Sequence, residues 1–343
     1  MATILIAILV FGLLIFIHEF GHYIFARIFN VTIIEFSIGM GPKLLEYRSK
    51  KTGINYALAA VPFGGYVAMA GEDSESDDPN SFDKKPAWQR FIITIAGASV
   101  NIIAGFLAMI IFTGVTTIGT TEIYDFPETK YEISSQDSGL MPGDRIIAVD
   151  GKRVGISDEL SYEIMRRGYE PVDVTVVRGG EEITLTDVVF PTATETGQTF
   201  GIIDFRVLGK KNKTFGELMT HSWRKSVLIV RMCWESIFDL IRGRYTLEAV
   251  SGPVGISGAI GDAAAAGGAQ LLYITTLISI NLGVMNLLPI PALDGGRLIT
   301  ILIEMITRKK IPAKIEQSIN GIGLLVLLGF SVLILIKDVI QLL

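Results

Sequence analysis

The chain has 343 residues, of which 50% are hydrophobic and 19% are charged, and its formal net charge is −5. Because charged residues make up about a quarter of an average soluble protein, this composition favours a membrane protein over a large soluble one. The net negative charge argues against nucleic acid as a partner, and the single cysteine, Cys233, excludes an intrachain disulfide.

The first predicted element is a transmembrane helix at residues 1–30, and stretches of bilayer-spanning length follow at residues 91–118, 269–296 and 319–343. No basic segment precedes the first stretch and no small-residue cleavage site follows it, so it is expected to be a retained span and not a signal peptide. We therefore predict a polytopic α-helical membrane protein with four transmembrane helices.

The first predicted span carries the sequence His18-Glu19-x-x-His22. Histidines four residues apart project from one face of a helix and can bind a single Zn²⁺, while Glu19 is placed to activate water. A rise of about 1.5 Å per residue from Thr3 puts His18 roughly 22 Å into a hydrocarbon core about 30 Å thick. Ionisable groups seldom persist there without a partner or a function, so a catalytic zinc site is predicted, with an interhelical polar cluster as the alternative.

Residues 31–90 form the first predicted loop, in which β-branched and aromatic residues alternate with glycines. This pattern is typical of short strands and hairpins. Because this loop is so apolar, it is expected to re-enter the bilayer. It should then pack against the other helices, since re-entrant backbone needs protein neighbours. The acidic run from Glu72 to Asp78 is expected to be a flexible tether.

Residues 124–207 have the pattern of a small α+β domain, inserted between the second and third spans. Its expected helix is Ser157 to Arg167, and its expected strands are Arg145 to Val149, Val172 to Val177, Ile183 to Val189 and Gly201 to Val207. The segment from Ser138 to Gly151 has turn residues framing a strand, and it closely resembles the corresponding stretch of PDZ domains.

Residues 214–268 begin with an amphipathic pattern and continue into a Gly-rich turn. Because Arg231, Glu235 and Asp239 recur every fourth residue, an interfacial amphipathic helix is predicted. A fifth span is disfavoured, since three charges near its middle would cost several kcal/mol on insertion.

The third predicted span ends in the segment Asn286 to Gly296, which contains Pro289, Pro291 and Asp294. Prolines interrupt a helix, so the chain is expected to unwind near the depth of His22. Two histidines need a third protein ligand to form a catalytic zinc site, and Asp294 is predicted to provide it.

The distribution of basic residues predicts the orientation. Lysine and arginine are concentrated in residues 27–90 and in the loop predicted at residues 297–318, which places both loops in the cytoplasm. Both termini and the α+β domain are then expected on the outer side. His221 follows that domain and is therefore not expected to be a metal ligand.

These features together resemble the site-2 protease family of intramembrane zinc metalloproteases, peptidase family M50. The motifs are the His-Glu-x-x-His of the first span, the Asn-x-x-Pro-x-x-x-Leu-Asp-Gly of the third, and the PDZ-like domain between spans two and three. The resemblance covers nearly the whole chain and is closest to the bacterial regulator-of-sigma-E protease branch, with one PDZ domain instead of two.

The resemblance implies that zinc binds His18, His22 and Asp294, and that Glu19 is the general base. It also implies that Asn286 lies near the substrate backbone. A further implication is an edge strand beside the unwound substrate, for which the matching residues are Phe63, Gly64, Gly65, Tyr66 and Val67.

The expected function is therefore intramembrane cleavage, by a zinc metalloendopeptidase, of single-span membrane proteins that have already been trimmed. Anti-sigma factors and remnant signal peptides are the expected substrates, and the bacterial inner membrane is the expected location, with the lipid bilayer as the other partner. The PDZ domain is expected to act as a size filter or as a peptide receptor.

Two alternatives to a protease are a membrane scaffold and a transporter. A catalytically silent PDZ membrane scaffold would be favoured if Glu19 or Asp294 were replaced, and both are present. A transporter predicts a broken helix in each half of the chain, whereas only the third span is interrupted by prolines.

Overall fold

The computed structural model describes residues 2–72, 74–127, 134–195, 198–244 and 250–342. Parts of five predicted regions lie outside these residues: Met1 of the first span, Asp73 of the acidic run, residues 128–133 and 196–197 of the α+β domain, residues 245–249 after the amphipathic helix, and Leu343 of the fourth span. The chain forms two compact units. We call Met1–Ala108 with Val250–Leu343 the helical unit, and Met109–Ala249 the sheet unit.

The helices, in chain order, are α1 (Ala2–Ile28), α2 (Ala87–Val115), α3 (Ser157–Arg167), α4 (Phe215–Ile241), α5 (Pro253–Ala266), α6 (Gly268–Asn286), α7 (Asp294–Thr307) and α8 (Ala313–Leu342). The strands are β1 (Ile33–Arg48), β2 (Asn55–Met69), β3 (Ile118–Asp125), β4 (Arg145–Val149), β5 (Lys152–Arg153), β6 (Val172–Arg178), β7 (Glu181–Val188), β8 (Thr192–Glu195), β9 (Gln198–Gly201) and β10 (Arg206–Lys210).

Four of the described helices are long and apolar enough to cross a bilayer, in agreement with the four predicted spans. The spans are Thr3–Ile28, Ala87–Val115, Gly268–Asn286 and Lys314–Asp338. Among the 18 most apolar consecutive residues of each span, between 11% and 33% are buried inside the protein, so most of this surface would face lipid.

Glycines let α2 and α6 approach closely, as small residues do in membrane helix pairs. A Cβ atom placed on Gly283 would lie 2.7 Å from the carbonyl oxygen of Ala98, and one on Gly105 would lie 2.6 Å from Ile280. The Ser279 hydroxyl donates a 2.8 Å hydrogen bond to the carbonyl oxygen of Asn101. These contacts fix α2 against α6.

Two regions differ from the sequence-based expectation. Residues 297–318, expected to be a loop, contain most of α7, on which Leu298 and Ile301 are buried at helical spacing. The expected Gly-rich turn before the third span is largely α5, which has Pro253 at its first position, where the missing N–H costs nothing. Glycine content alone did not reveal this helix.

The β1–β2 hairpin folds back on itself. Residues 33–40 lie opposite residues 61–69, and residues 43–48 lie opposite residues 55–59 in a second antiparallel stretch. Glu35 to Ile38 also lie beside Asn55 to Leu58, so the end of the hairpin returns along its own beginning. Gly39 and Gly41, with φ values of 86° and 84°, stand at the bend.

This doubling back puts the turn of the hairpin beside the C-terminal end of α1. Ile54, next to the turn, is 1% exposed and packs in a cluster with Ala26 and Ile33. Lys50 and Lys51 of the turn are exposed. The apolar bend and the basic turn therefore lie at opposite ends of the folded hairpin.

The sheet unit contains a six-stranded sheet in the order β10-β3-β4-β6-β7, with β5 paired to β4, and a separate β8–β9 hairpin. Its core includes Ile146, Leu160, Ile164 and Phe190. The helix expected at Ser157 to Arg167 has those bounds.

The strand expected at Gly201 to Val207 is divided, because β9 ends at Gly201 and β10 begins at Arg206. Between the two strands, the Asp204 carboxylate accepts hydrogen bonds of 2.7 and 2.6 Å from the hydroxyls of Ser134 and Ser135. These bonds hold the chain in a turn instead of a continuous strand.

Candidate metal centre

Three predicted ligands meet within the helical unit. Nε2 of His18 lies 3.2 Å from Oδ2 of Asp294, and Nε2 of His22 lies 3.4 Å from the same oxygen. The two Nε2 atoms are 3.2 Å apart. Among the described residues, these three offer ligand atoms within 4.8 Å of one another.

The donor set fits a cation. Nδ1 of His22 donates a 2.8 Å hydrogen bond to the carbonyl oxygen of Ile93, which leaves a lone pair on Nε2. That lone pair faces Oδ2 of Asp294, a buried atom without a hydrogen-bond partner. Electron-rich atoms this close repel unless a proton or a metal lies between them. Zinc accepts imidazole nitrogen and carboxylate oxygen, so these residues fit a zinc ion.

Asn101, which the sequence analysis missed, contacts the other histidine. Its side-chain nitrogen lies 3.5 Å from Nδ1 of His18, and its Oδ1 is buried without a partner. The nitrogen and oxygen of an amide exchange places by a 180° flip. In the flipped orientation, the amide oxygen would accept a hydrogen bond from Nδ1–H of His18 and leave Nε2 of His18 free for a metal. The signal in the sequence was an amide in the middle of an apolar span.

Two glycines bring α2 against the metal-binding face of α1. A Cβ atom on Gly97 would lie 2.2 Å from Nε2 of His22, and one on Gly21 would lie 2.7 Å from the carbonyl oxygen of Ala96. Any side chain at Gly97 would therefore displace the imidazole.

Asp294 is held by the fold of the segment before it. It is the first residue of α7 and follows the Pro-containing segment Leu287 to Leu293. A Cβ atom on Gly295 would lie 2.0 Å from the carbonyl oxygen of Leu288, and one on Gly296 would lie 2.5 Å from that of Ile290. The two glycines thus allow the segment to fold against the start of α7.

β2 lies against α1 at Glu19. A Cβ atom on Gly65 would lie 3.1 Å from Cγ of Glu19 and 3.0 Å from Ile15. Within the described chain, residues 61–69 of β2 pair only with β1, so their other edge is open to a further strand.

The predicted substrate-binding residues have different positions. Gly64, Gly65, Tyr66 and Val67 lie on this segment of β2, while the side chain of Phe63 lies outside the described part. The Tyr66 hydroxyl donates a 2.6 Å hydrogen bond to Glu35. Asn286 is partly buried at the last residue of α6, and its contact with substrate stays a prediction.

A cavity of about 1110 Å³ opens beside Asp294. Ion pairs in its wall join Arg90 to Glu304 and Arg297 to Glu72. Glu72, expected to belong to a flexible tether, is thus bound to α7. The charged lining makes this cavity a path by which water can reach Asp294. His221 lies on α4 in the sheet unit and is not in the ligand group found among the described residues.

The chain is similar to the members of one protein family. Residues 6–330 match the model of peptidase family M50. Three bacterial proteins that carry the name "putative zinc metalloprotease" are similar over almost their whole length. Those of Clostridium perfringens and Clostridium acetobutylicum are both 36% identical, over 98% of this chain and 98% and 97% of the relative. That of Fusobacterium nucleatum is 33% identical over 98% of both chains.

Proposed function

The chain belongs to peptidase family M50, and on that premise we propose that it is an intramembrane zinc metalloprotease that cleaves single-span membrane proteins. The observation that carries the proposal is the convergence of His18, His22 and Asp294, because the two histidines lie within an apolar span of 26 residues. A structural polar cluster does not require three electron-rich donors to face one another.

The residues have distinct roles in hydrolysis. His18, His22 and Asp294 hold zinc, which when bound supplies Lewis-acid polarisation of the scissile carbonyl and lowers the pKa of water. Glu19 takes a proton from the attacking water and returns it to the leaving amine. Ile93 and Asn101 fix the orientation of the two imidazoles.

Substrate capture uses the open edge of β2. A transmembrane helix buries its carbonyl groups in its own hydrogen bonds, so the substrate must unwind near the scissile bond. An unwound segment can pair with residues 63–67 as an added strand, which would bring its backbone beside Glu19. Asn286 contacts the same backbone.

The protein acts in regulated intramembrane proteolysis, as in the regulator-of-sigma-E branch of the family. It is a multi-pass membrane protein of the bacterial inner membrane, with the metal centre toward the cytoplasm and both termini outside. Residues 124–207, within the sheet unit, are an outer PDZ domain that favours substrates already trimmed on their outer side. Anti-sigma factors and remnant signal peptides fit this substrate class.

The test is cleavage in proteoliposomes of a single-span substrate without its outer domain. Glu19→Gln is expected to abolish cleavage and keep zinc, whereas Asp294→Ala is expected to lose both. The matched control is Asp262→Asn, which removes a carboxylate on α5. This variant is expected to keep both cleavage and zinc. Cleavage by Glu19→Gln at the wild-type rate would overturn the mechanism, and full zinc retention by Asp294→Ala would overturn the ligand assignment.

A further inference from the structure

One carboxylate joins the end of β2 to the start of α7. Oε2 of Glu72 accepts a 3.3 Å hydrogen bond from the backbone N–H of Met69, the last residue of β2. Oε1 of Glu72 accepts a hydrogen bond from Nη1 of Arg297, which lies in the first turn of α7. Nη2 of Arg297 also donates a 3.3 Å hydrogen bond to the carbonyl oxygen of Glu72. We call these contacts the Glu72–Arg297 pair.

Arg297 is held on two further sides. Its Nε lies 3.8 Å from Oε1 of Glu316 on α8, and its Cζ lies 5.8 Å from the ring centroid of Phe82. The side chains of Arg297 and Glu72 are 16% and 20% exposed, so little water competes with their contact. Hydrogen bonds between charged groups are about twice as strong as those between neutral ones. The pair is therefore a firm connection, unlike the ion pairs of an exposed surface.

The turn between β2 and Glu72 is also fixed. The backbone N–H of Ala70 donates a 2.9 Å hydrogen bond to the carbonyl oxygen of Thr32, and the carbonyl oxygen of Ala70 accepts one of 2.7 Å from the N–H of Phe82. The N–H of Glu72 donates a 3.3 Å hydrogen bond to the carbonyl oxygen of Met69. Because its backbone groups are paired in this way, the turn passes a movement of Glu72 on to β2.

The two ends of the pair belong to different parts of the proposed site. Residues 61–69 of β2 carry the open edge beside Glu19, whereas α7 begins with the predicted ligand Asp294. Arg297 is three residues from Asp294, and side chains at this spacing are neighbours on a helix surface. Successive residues of a strand are about 3.3 Å apart, so a shift of β2 by that distance would bring the wrong peptide bond to the metal centre. Cleavage at one bond therefore requires a fixed distance between β2 and Asp294.

We propose that Glu72 and Arg297 are positioning residues, which hold the substrate-binding edge of β2 in register with Asp294. This inference rests on the proposed function, because it concerns which peptide bond of an added strand reaches the metal centre. The pair acts through β2 on the substrate and through the first turn of α7 on the Asp294 carboxylate. It therefore determines both the cleavage site and the orientation of one metal ligand.

A second ion pair of α7 separates positioning from stability. Arg90 on α2 pairs with Glu304, and their side chains are 10% and 15% exposed, so this pair is at least as buried as the first. Glu304 lies on α7 beyond Asp294, about 15 Å along the helix at 1.5 Å per residue. Glu304→Ala is therefore the matched control, because it breaks a buried ion pair of the same helix far from the metal centre.

The test compares full-length Glu72→Ala, Arg297→Met and the double variant in proteoliposomes, with a trimmed single-span substrate and saturating zinc. A misplacement of about 1 Å can cost on the order of 100-fold in rate, and each variant is expected to lose about that much. Mass spectrometry of the products should show cleavage at neighbouring peptide bonds as well as at the wild-type bond. The double variant should lose no more than either single variant, because both remove one contact.

Zinc affinity gives a readout that needs no substrate. Glu72→Ala and Arg297→Met are expected to bind zinc about tenfold more weakly, since loss of a residue that orients a ligand costs about 10–100-fold. Glu72→Gln, which keeps an acceptor oxygen and the size of the side chain, should show the same changes at a smaller magnitude. Glu304→Ala is expected to lower the melting temperature about as much as Arg297→Met does, with wild-type zinc affinity and cleavage site.

Three outcomes would be decisive. Wild-type cleavage sites and zinc affinity in Glu72→Ala and Arg297→Met would overturn the proposal. The same spread of cleavage sites in Glu304→Ala would also overturn it, because the effect would then follow from the stability of α7. No cleavage by the wild-type chain, with zinc affinity weakened only in the variants of the pair, would refute the proposed function and still support the positioning of Asp294.

Discussion

Gly97 leaves no room for a side chain beside the metal centre. Because a Cβ atom there would lie 2.2 Å from Nε2 of His22, Gly97→Ala is expected to turn the imidazole away from Asp294. Loss of a well-oriented ligand should weaken zinc binding by at least the roughly 10–100-fold seen for outer partners of ligands. The measurement is zinc content against free-zinc concentration, together with cleavage rate.

Gly114→Ala is the matched control, since it is the same change in the same helix with nothing within 4 Å of the added atom. It is expected to keep zinc and activity. Equal zinc affinity in the two variants would show that His22 does not depend on the glycine.

The second prediction concerns Asn101, whose side chain is expected to orient the imidazole of His18. Asn101→Leu removes the amide and should weaken zinc binding about 10–100-fold. Asn101→Asp retains an oxygen that accepts from Nδ1–H of His18 and should keep most of the affinity. If the aspartate variant binds zinc as weakly as the leucine variant, the flipped amide is not the acceptor.

These residues show what the sequence could reveal about the site. His18 and His22 were predictable because one helix fixes their spacing, and Asp294 because its depth could be counted along a span. The roles of Gly97 and Asn101 depend on which face of α2 meets α1. That choice follows from tertiary packing, for which an apolar helix carries little sequence signal.

At the scale of elements, a contact with α8 fixes the start of α5, and we call this contact the joint between α5 and α8. The Asp338 carboxylate on α8 accepts hydrogen bonds of 3.3 and 3.2 Å from the backbone N–H groups of Gly252 and Gly255, at the start of α5. A Cβ atom on Gly252 would lie 2.5 Å from Ile334. A carboxylate at a helix N-terminus also meets the positive end of the helix dipole.

Asp338→Ala leaves these N–H groups without their acceptor, so the melting temperature in detergent should fall, on the order of 5 °C. Asp338→Asn keeps one oxygen acceptor and should lose less. Both variants should keep zinc, since α5 and α8 supply none of its ligands. An unchanged melting temperature in Asp338→Ala would contradict a role of the joint in stability.

The elements themselves were predictable to different degrees. The spans are apolar over lengths that only a membrane helix requires, and α3 has its expected bounds. The fold-back of the β1–β2 hairpin was not predictable, because Glu35 and Asn55 pair across a bend whose geometry depends on Gly39 and Gly41. The helix α7 was missed since its glycines suggest a turn, although they permit a close approach to the preceding segment.

For the whole molecule, the strongest physical constraint is the distribution of charge across the bilayer. Basic residues are retained on the cytoplasmic side during insertion, so residues 27–90 and 297–314 are expected there and the sheet unit on the outer side. The fold-back of the hairpin agrees with this orientation, because it brings Lys50 and Lys51 back to the C-terminal end of α1.

Cysteine labelling tests the orientation, because Cys233→Ala removes the only native thiol. In that background, Gly180→Cys, in the exposed turn between β6 and β7, should react with a membrane-impermeant maleimide on intact cells. Lys309→Cys, in the exposed segment after α7, should react only after the membrane is made permeable. Reaction at position 309 in intact cells would reverse the topology. The metal centre would then open to the outside, since the cavity beside Asp294 is also lined by Lys310.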